Sequence, residues 1–161
     1  MKCLQCEGSM KSRRETCDYG SCGLPVTLSG VRVARCGSCG EHEVALPRIE
    51  EPHRLIARTV MRKRQGLGAP EIRFLRTWLG WSGKDFAEVM GVTPETVSRW
   101  ESGSLRIGPQ AERLLRVLVA TQEPPDDYPA SSLRELESKV SEPEHLNVRA
   151  ARNGWRIDRA A

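Results

Sequence analysis

Between Met90 and Glu95 the sequence ends one helix and begins another with almost no chain between them. Phe86, Ala87, Val89 and Met90 recur at helical spacing and give the first helix an apolar side. Gly91 follows at once, where a left-handed C-cap favours a residue without Cβ. Thr93 then stands as an N-cap, Pro94 at the first helical position and Glu95 as an acid in the first turn. Val97 and Trp100, three apart, face inward and leave Pro94, Glu95, Ser98 and Arg99 outside, and Gly103 ends the run. The predicted unit is a pair of short helices joined by a tight turn over residues 82–103.

A helix, a turn of three or four residues and a second helix with polar groups near its start can lay side chains in a DNA major groove. The segment from Phe86 to Gly103 resembles the helix-turn-helix of the phage-repressor (Cro-like, or Xre) family, down to the Ser98-Arg99-Trp100-Glu101 ending. Its flanks read as helices too. Pro70 opens one with Ile72, Leu75 and Leu79 on a face and Phe74 and Trp78 beside it, closing at Gly80. Pro109 opens another with Leu114, Leu115, Leu118 and Val119 as its expected face. The expected bundle spans residues 70–121. Residues 48–121 carry thirteen Lys/Arg against eight acids, while residues 122–161 carry six against eight. The positive balance falls where phosphate neutralisation needs it.

All six cysteines lie in the first 45 residues. Cys3 with Cys6 and Cys36 with Cys39 are two Cys-x-x-Cys knuckles, each able to present two thiolates to one tetrahedral ion. Four sulfurs close the shell, so the spacing points to structural zinc; an iron–sulfur cluster uses the same ligand set. A thioredoxin-like redox pair belongs at a helix start after a strand, a pattern missing here. Residues 26–35 alternate as two strands expected to turn near Ser29-Gly30, which makes residues 1–47 a zinc-ribbon-like β module. Cys17 and Cys22 do not fit the knuckle spacing. They are read as half-buried thiols in a strand and a turn, with a redox pair or substitute ligands as the alternative. His42 is a weaker ligand candidate.

Residues 48–69 read as a connecting helix, with Ile49, Leu55, Ile56, Val60 and Met61 on one face, followed by a hinge at Gly66–Gly68. Arg62-Lys63-Arg64 beside it is expected either to touch DNA backbone or to be a solvated helix end. Residues 122–161 read as linker and tail: a proline-stiffened stretch over 123–129, a short helix through Leu133, Leu136 and Val140, and either a hairpin around Asn153-Gly154 or disorder. Only two Phe and two Tyr favour two small cores over one large one. No apolar run reaches membrane-spanning length and no signal peptide opens the chain, so a cytoplasmic protein is expected, and six cysteines there read as metal ligands sooner than disulfides. The fold class expected is α+β: the β module, then an all-α repressor-like bundle, then a short C-terminal extension.

The order of the two motifs resembles the MqsA (YgiT-type) antitoxin family over residues 1–121, on Cys3, Cys6, Cys36, Cys39 and the segment Val97–Glu101. That resemblance implies four cysteine ligands to zinc, a homodimer, double-stranded operator DNA as one partner and a ribonuclease toxin as another. It also implies that Arg99 reads bases. By their own chemistry Thr93, Thr96 and Ser98 are expected as short-reach phosphate or base contacts, and Glu95 is expected either to accept from cytosine N4 or to support the helix start. The extra Cys17/Cys22 pair and the tail depart from the family pattern. The alternative is a stand-alone regulator whose zinc module senses metal or redox state. No paired carboxylate, nucleophile–base pair or phosphate loop points to an enzyme.

Overall fold

The computed structural model describes residues 1–46, 48–122, 139–151 and 154–158. The chain is α+β, with strands and a cysteine cluster first and a helical region after them. It divides into two compact units, each assembled from separated segments. One holds Met1–Gly20, Pro25–Pro52 and His145–Ala161; the other holds Ser21–Leu24 and His53–Glu144.

The first unit is a mixed sheet built on one long strand. β1 (Met10–Asp18) runs antiparallel along β2 (Val26–Cys36). β3 (His42–Ala45) pairs antiparallel with the C-terminal part of β2, and β4 (Leu146–Ala151) pairs parallel with its N-terminal part. β5 (Gly154–Asp158) completes a hairpin with β4. Ser29-Gly30, expected as a turn, is instead a bulge inside β2: Glu15 pairs with Val31 and Cys17 with Leu28, so two β2 residues face Thr16 alone. Gly30 takes φ +71° there. The extra residue resets the alternation, which is why the buried positions run Val26, Leu28, then Val31, Val33. A local pattern cannot distinguish a bulge from a turn, because glycine serves both.

The C-terminal hairpin forms and extends this sheet. Leu146 and Val148 are buried, the Leu146 amide donates to the Pro25 carbonyl at 2.9 Å, and Arg149 pairs with Asp158 at 2.8 Å. The linker expected over 123–129, the helix expected through Leu133 and Leu136, and Asn153 lie outside the described residues. Val140 is in a bridge with Gly66, not a helix.

The second unit contains the helices. α1 (Glu50–Met61) begins in the first unit and continues into the second, followed by α2 (Ala69–Trp78), α3 (Gly83–Met90), α4 (Pro94–Glu101) and α5 (Pro109–Gln122). Phe86 is the aromatic centre, stacked on Trp81 at 6.2 Å and met edge-on by Trp100 at 6.4 Å. Ile72, Leu75, Ala87, Val97, Leu115 and Val119 are buried with it. The expected apolar faces shift in two helices. Val89 is exposed on α3. On α5, Leu114 and Val117 are exposed at 41% and 39% while Glu112 and Arg116 are buried.

A buried polar network turns α5 this way. Arg116, 0% exposed, binds Glu112 through Nη2 at 2.7 Å. Its guanidinium also donates to the carbonyls of Met61, Lys63 (2.7 Å) and Gln65 (2.9 Å). Glu112 accepts the Leu67 amide at 3.3 Å. Next to it Lys63 pairs with Glu71 at 3.0 Å and donates to the Ser141 carbonyl at 3.0 Å, while Glu71 accepts the Gly68 amide at 2.7 Å. Hence backbone groups of Lys63, Gln65, Leu67 and Gly68 are pinned in and just before the Gly66–Gly68 stretch expected as a hinge, and Lys63 is neither a phosphate contact nor a solvated end.

Breaking a buried charge pair from one side leaves the other charge uncompensated, at about 3–5 kcal/mol. Arg116→Ala is therefore expected to destabilise the helical unit by that order, read by urea denaturation on tryptophan fluorescence. A fragment of residues 67–161, which lacks the carbonyls that Arg116 binds and the Lys63 partner of Glu71, should lose its cooperative transition in the same assay.

Candidate metal centre and nucleic-acid interface

The four knuckle cysteines converge. The sulfurs of Cys3, Cys6, Cys36 and Cys39 all lie within 4.8 Å of one another. Cys6 is 3.4 Å from both Cys36 and Cys39, and Cys3 is 3.6 Å from Cys39. A tetrahedral ion with bonds of about 2.3 Å to sulfur has sulfur–sulfur edges of about 3.8 Å, so the donor set fits such an ion. The two knuckles repeat one backbone design. The Glu7 amide donates to the Cys3 carbonyl and the Gly40 amide to the Cys36 carbonyl. The amides of Gln5 and Ser38 reach the sulfurs of Cys3 and Cys36, each at 3.4 Å. The fifth residue of each is left-handed, Gly40 at φ +78° and Glu7 at φ +58°.

Gly8 supplies space beside the sulfurs. A Cβ there would lie 2.8 Å from Ser38 Oγ, 3.1 Å from Cys36 Sγ and 3.2 Å from Cys6 Sγ. The sequence signal for this role is its place two residues after the second cysteine. The electrostatics oppose ionisation of all four thiols together in the absence of a cation. Backbone amides of Cys39 and Ser38 hold the Cys36 thiol down at about 6. Cys39 is pushed up to about 12: the Glu41 amide favours its thiolate, but crowding by Cys6, Cys3 and Cys36 together with burial outweighs it. Four thiolates this close are compatible only around a positive ion.

Neither Cys17 nor Cys22 belongs to the cluster. Cys17 sits in β1 opposite Leu28, its thiol pushed up by burial and then by Asp18 and Glu15, which keeps it protonated. Cys22 ends a short 3-10 turn, Gly20–Cys22, with its thiol toward the Leu24 carbonyl at 3.7 Å. His42 lies on β3 opposite Arg35, outside the cluster.

The α3–α4 corner follows the residues that encode it. Gly91 caps α3 at φ +65°, and the Thr93 hydroxyl accepts the Thr96 amide at 3.3 Å at the start of α4. A capping box absent from the sequence reading also fixes α3: Ser82 Oγ accepts the Asp85 amide and Asp85 accepts the Ser82 amide at 3.0 Å. The Ser82 contacts hold the Asp85 carboxyl below its ordinary range. Val97 and Trp100 anchor α4, leaving Thr93, Glu95, Ser98 and Arg99 exposed and Thr96 half-buried. Glu95 is drawn back onto its own helix start: its own amide, then the Thr93 hydroxyl, hold its carboxyl below the usual range. Arg76 grips Glu101 at 2.5 and 3.2 Å and the Trp81 carbonyl at 2.6 Å, locking α2 to the end of α4. Among the described residues the Arg99 guanidinium has no partner, while its carbonyl accepts the Leu105 amide at 3.0 Å and the Ser102 hydroxyl at 3.2 Å.

Residues 72–128 match the helix-turn-helix family of Cro/C1 type. The region is a DNA-binding domain, and it makes the protein a DNA-binding transcription regulator. No curated protein matches the chain. No described helix is long and apolar enough to cross a membrane.

The closed four-sulfur arrangement yields an expectation for metal content. One ion per chain should be found by elemental analysis, lost in Cys3→Ser or Cys36→Ser and retained in Cys17→Ser and Cys22→Ser. Gly8→Ala, which crowds the sulfurs without removing a ligand, should weaken the ion's affinity by about 10–100-fold in a chelator competition.

Proposed function

We propose that the protein is a homodimeric, operator-specific repressor in which zinc, held by Cys3, Cys6, Cys36 and Cys39, staples the N-terminal β module. The observation that carries the DNA reading is α4: a short, firmly capped helix whose inner side is locked by Val97, Trp100 and the Arg76–Glu101 pair, and whose outer side ends on an unengaged arginine. A rigid helix with a free guanidinium suits the bidentate Arg–guanine contact, the commonest specific one. In this reading Arg99 and Ser98 meet base edges. Thr93 and Thr96 lie at the helix start, where hydroxyls and amides meet phosphate or base edges. Glu95 tempers the positive end of α4, lowering attraction for phosphate at large, and can accept from cytosine N4.

Likeness to the MqsA family extends the proposal to an antitoxin that represses its own operon and sequesters a ribonuclease toxin. What supports it is the succession of a four-cysteine module and a Cro-type domain in one chain. A toxin gene beside this one is the partner that the reading requires; without it, the stand-alone regulator is the remaining reading. The exposed Leu114 and Val117, three apart on α5, support dimer formation, since solvated apolar side chains on one helical face are relieved by a second copy.

Arg99→Ala should lose about 1–3 kcal/mol on the operator and far less on scrambled DNA, because non-specific affinity comes from phosphate neutralisation. Binding to both DNAs across a salt series checks it, and equal losses would make Arg99 a phosphate contact. Leu114→Glu with Val117→Glu should convert the dimer to monomer in sedimentation experiments while circular dichroism stays unchanged.

A further inference from the structure

The edge of β2 opposite β1 changes partners midway. Its last residue paired with β4 is Ser29, opposite Arg149, and its first paired with β3 is Arg32, opposite Ala45. At Gly30 and Val31, between the two partners, a cleft of about 570 Å³ opens, walled by Ala45 and Ala150 and lined by Arg14 and Arg32. These arginines are directly opposite each other on β1 and β2. Opposed residues of an antiparallel pair point to the same side, with Cβ atoms about 4.5–5.5 Å apart, and like charges so placed are destabilising. Among the described residues neither guanidinium has a hydrogen bond or ion pair. Arg35, on the same strand, is by contrast neutralised by Glu15 at 2.7 Å.

We infer that this cleft binds a small oxyanion ligand, a compound with a phosphate or carboxylate group held between Arg14 and Arg32 and a compact body against the alanine-lined wall. Three features converge on it. Two guanidinium forks offer the planar, multidentate geometry that suits both oxyanions. An anion between them removes the like-charge cost of the pair. The volume falls in the range of small-molecule sites, about 300–1,000 Å³, and a Cβ at Gly30 would crowd that space at 3.3 Å from the Ala150 carbonyl, so the glycine keeps it free of a side chain. The site lies wholly in the β unit and gives a DNA-binding regulator a place for a small anionic effector.

The test is a titration of the full-length, metal-loaded protein with inorganic phosphate and, separately, with succinate, following amide resonances, against sodium chloride at matched ionic strength. Saturable shifts at Gly30, Arg32, Ala45 and Ala150 are expected with one or both anions, and the stronger of the two identifies phosphate or carboxylate as the preferred group. Arg14→Gln and Arg32→Gln, both exposed positions, should each weaken binding about tenfold or more with metal content unchanged. Shifts that do not saturate, that sodium chloride reproduces or that survive both substitutions overturn the proposal. A loss of operator affinity in both variants without saturable anion binding overturns it too, and makes the pair a contact to DNA phosphate.

Discussion

The helical unit depends on one buried guanidinium. Arg116 takes the carbonyl of the last α1 residue, Met61, two more from the segment after it, Lys63 and Gln65, and one carboxylate from its own helix, and so turns a loop of irregular backbone into part of the core. Such a segment cannot satisfy its carbonyls by helix or strand pairing. Buried without partners, each would cost a hydrogen bond's desolvation. The guanidinium suits the task because its five donors form a rigid fork that no ammonium matches. The neighbouring Lys63–Glu71 pair continues the network to Gly68 and Ser141. Together the two pairs decide which side of α5 faces in, and thereby which apolar side chains are left on its surface.

The β unit solves a different problem. Its strands are few and come from both ends of the chain, so its core is a single layer of β-branched and leucine side chains around β2. Four sulfurs drawn together at the end of that sheet add a local constraint which apolar area alone would not supply. The buried cluster of Cys3, Met10, Ala34 and Cys36 joins the knuckles to the strands, so an ion held there stiffens β1 and β2 at once. The helix-turn-helix corner needs neither device. Caps at Ser82, Gly91 and Thr93 and the Arg76–Glu101 clamp hold it in place by short-range chemistry.

The sequence by itself determined the local chemistry. Gly91 and Thr93-Pro94 mark the helix boundaries where they are found, because caps act within a turn. The knuckle cysteines meet because each pair is a self-contained turn, and a strand pairing needed only to bring the two together. Tertiary structure decided what depends on partners far away in the chain. Ser29-Gly30 has the same composition as a turn and becomes a bulge because β1 runs past it on one side and β4 on the other. Leu114 has the apolarity of a core residue and is exposed because Arg116 finds three carbonyls inside. Residues 146–149 join β2 in parallel, a pairing across more than a hundred positions that leaves no periodic trace. Capping and knuckle turns are written in neighbouring residues. Burial of a charge and choice of a strand partner are settled only when distant groups compete for the same hydrogen bonds.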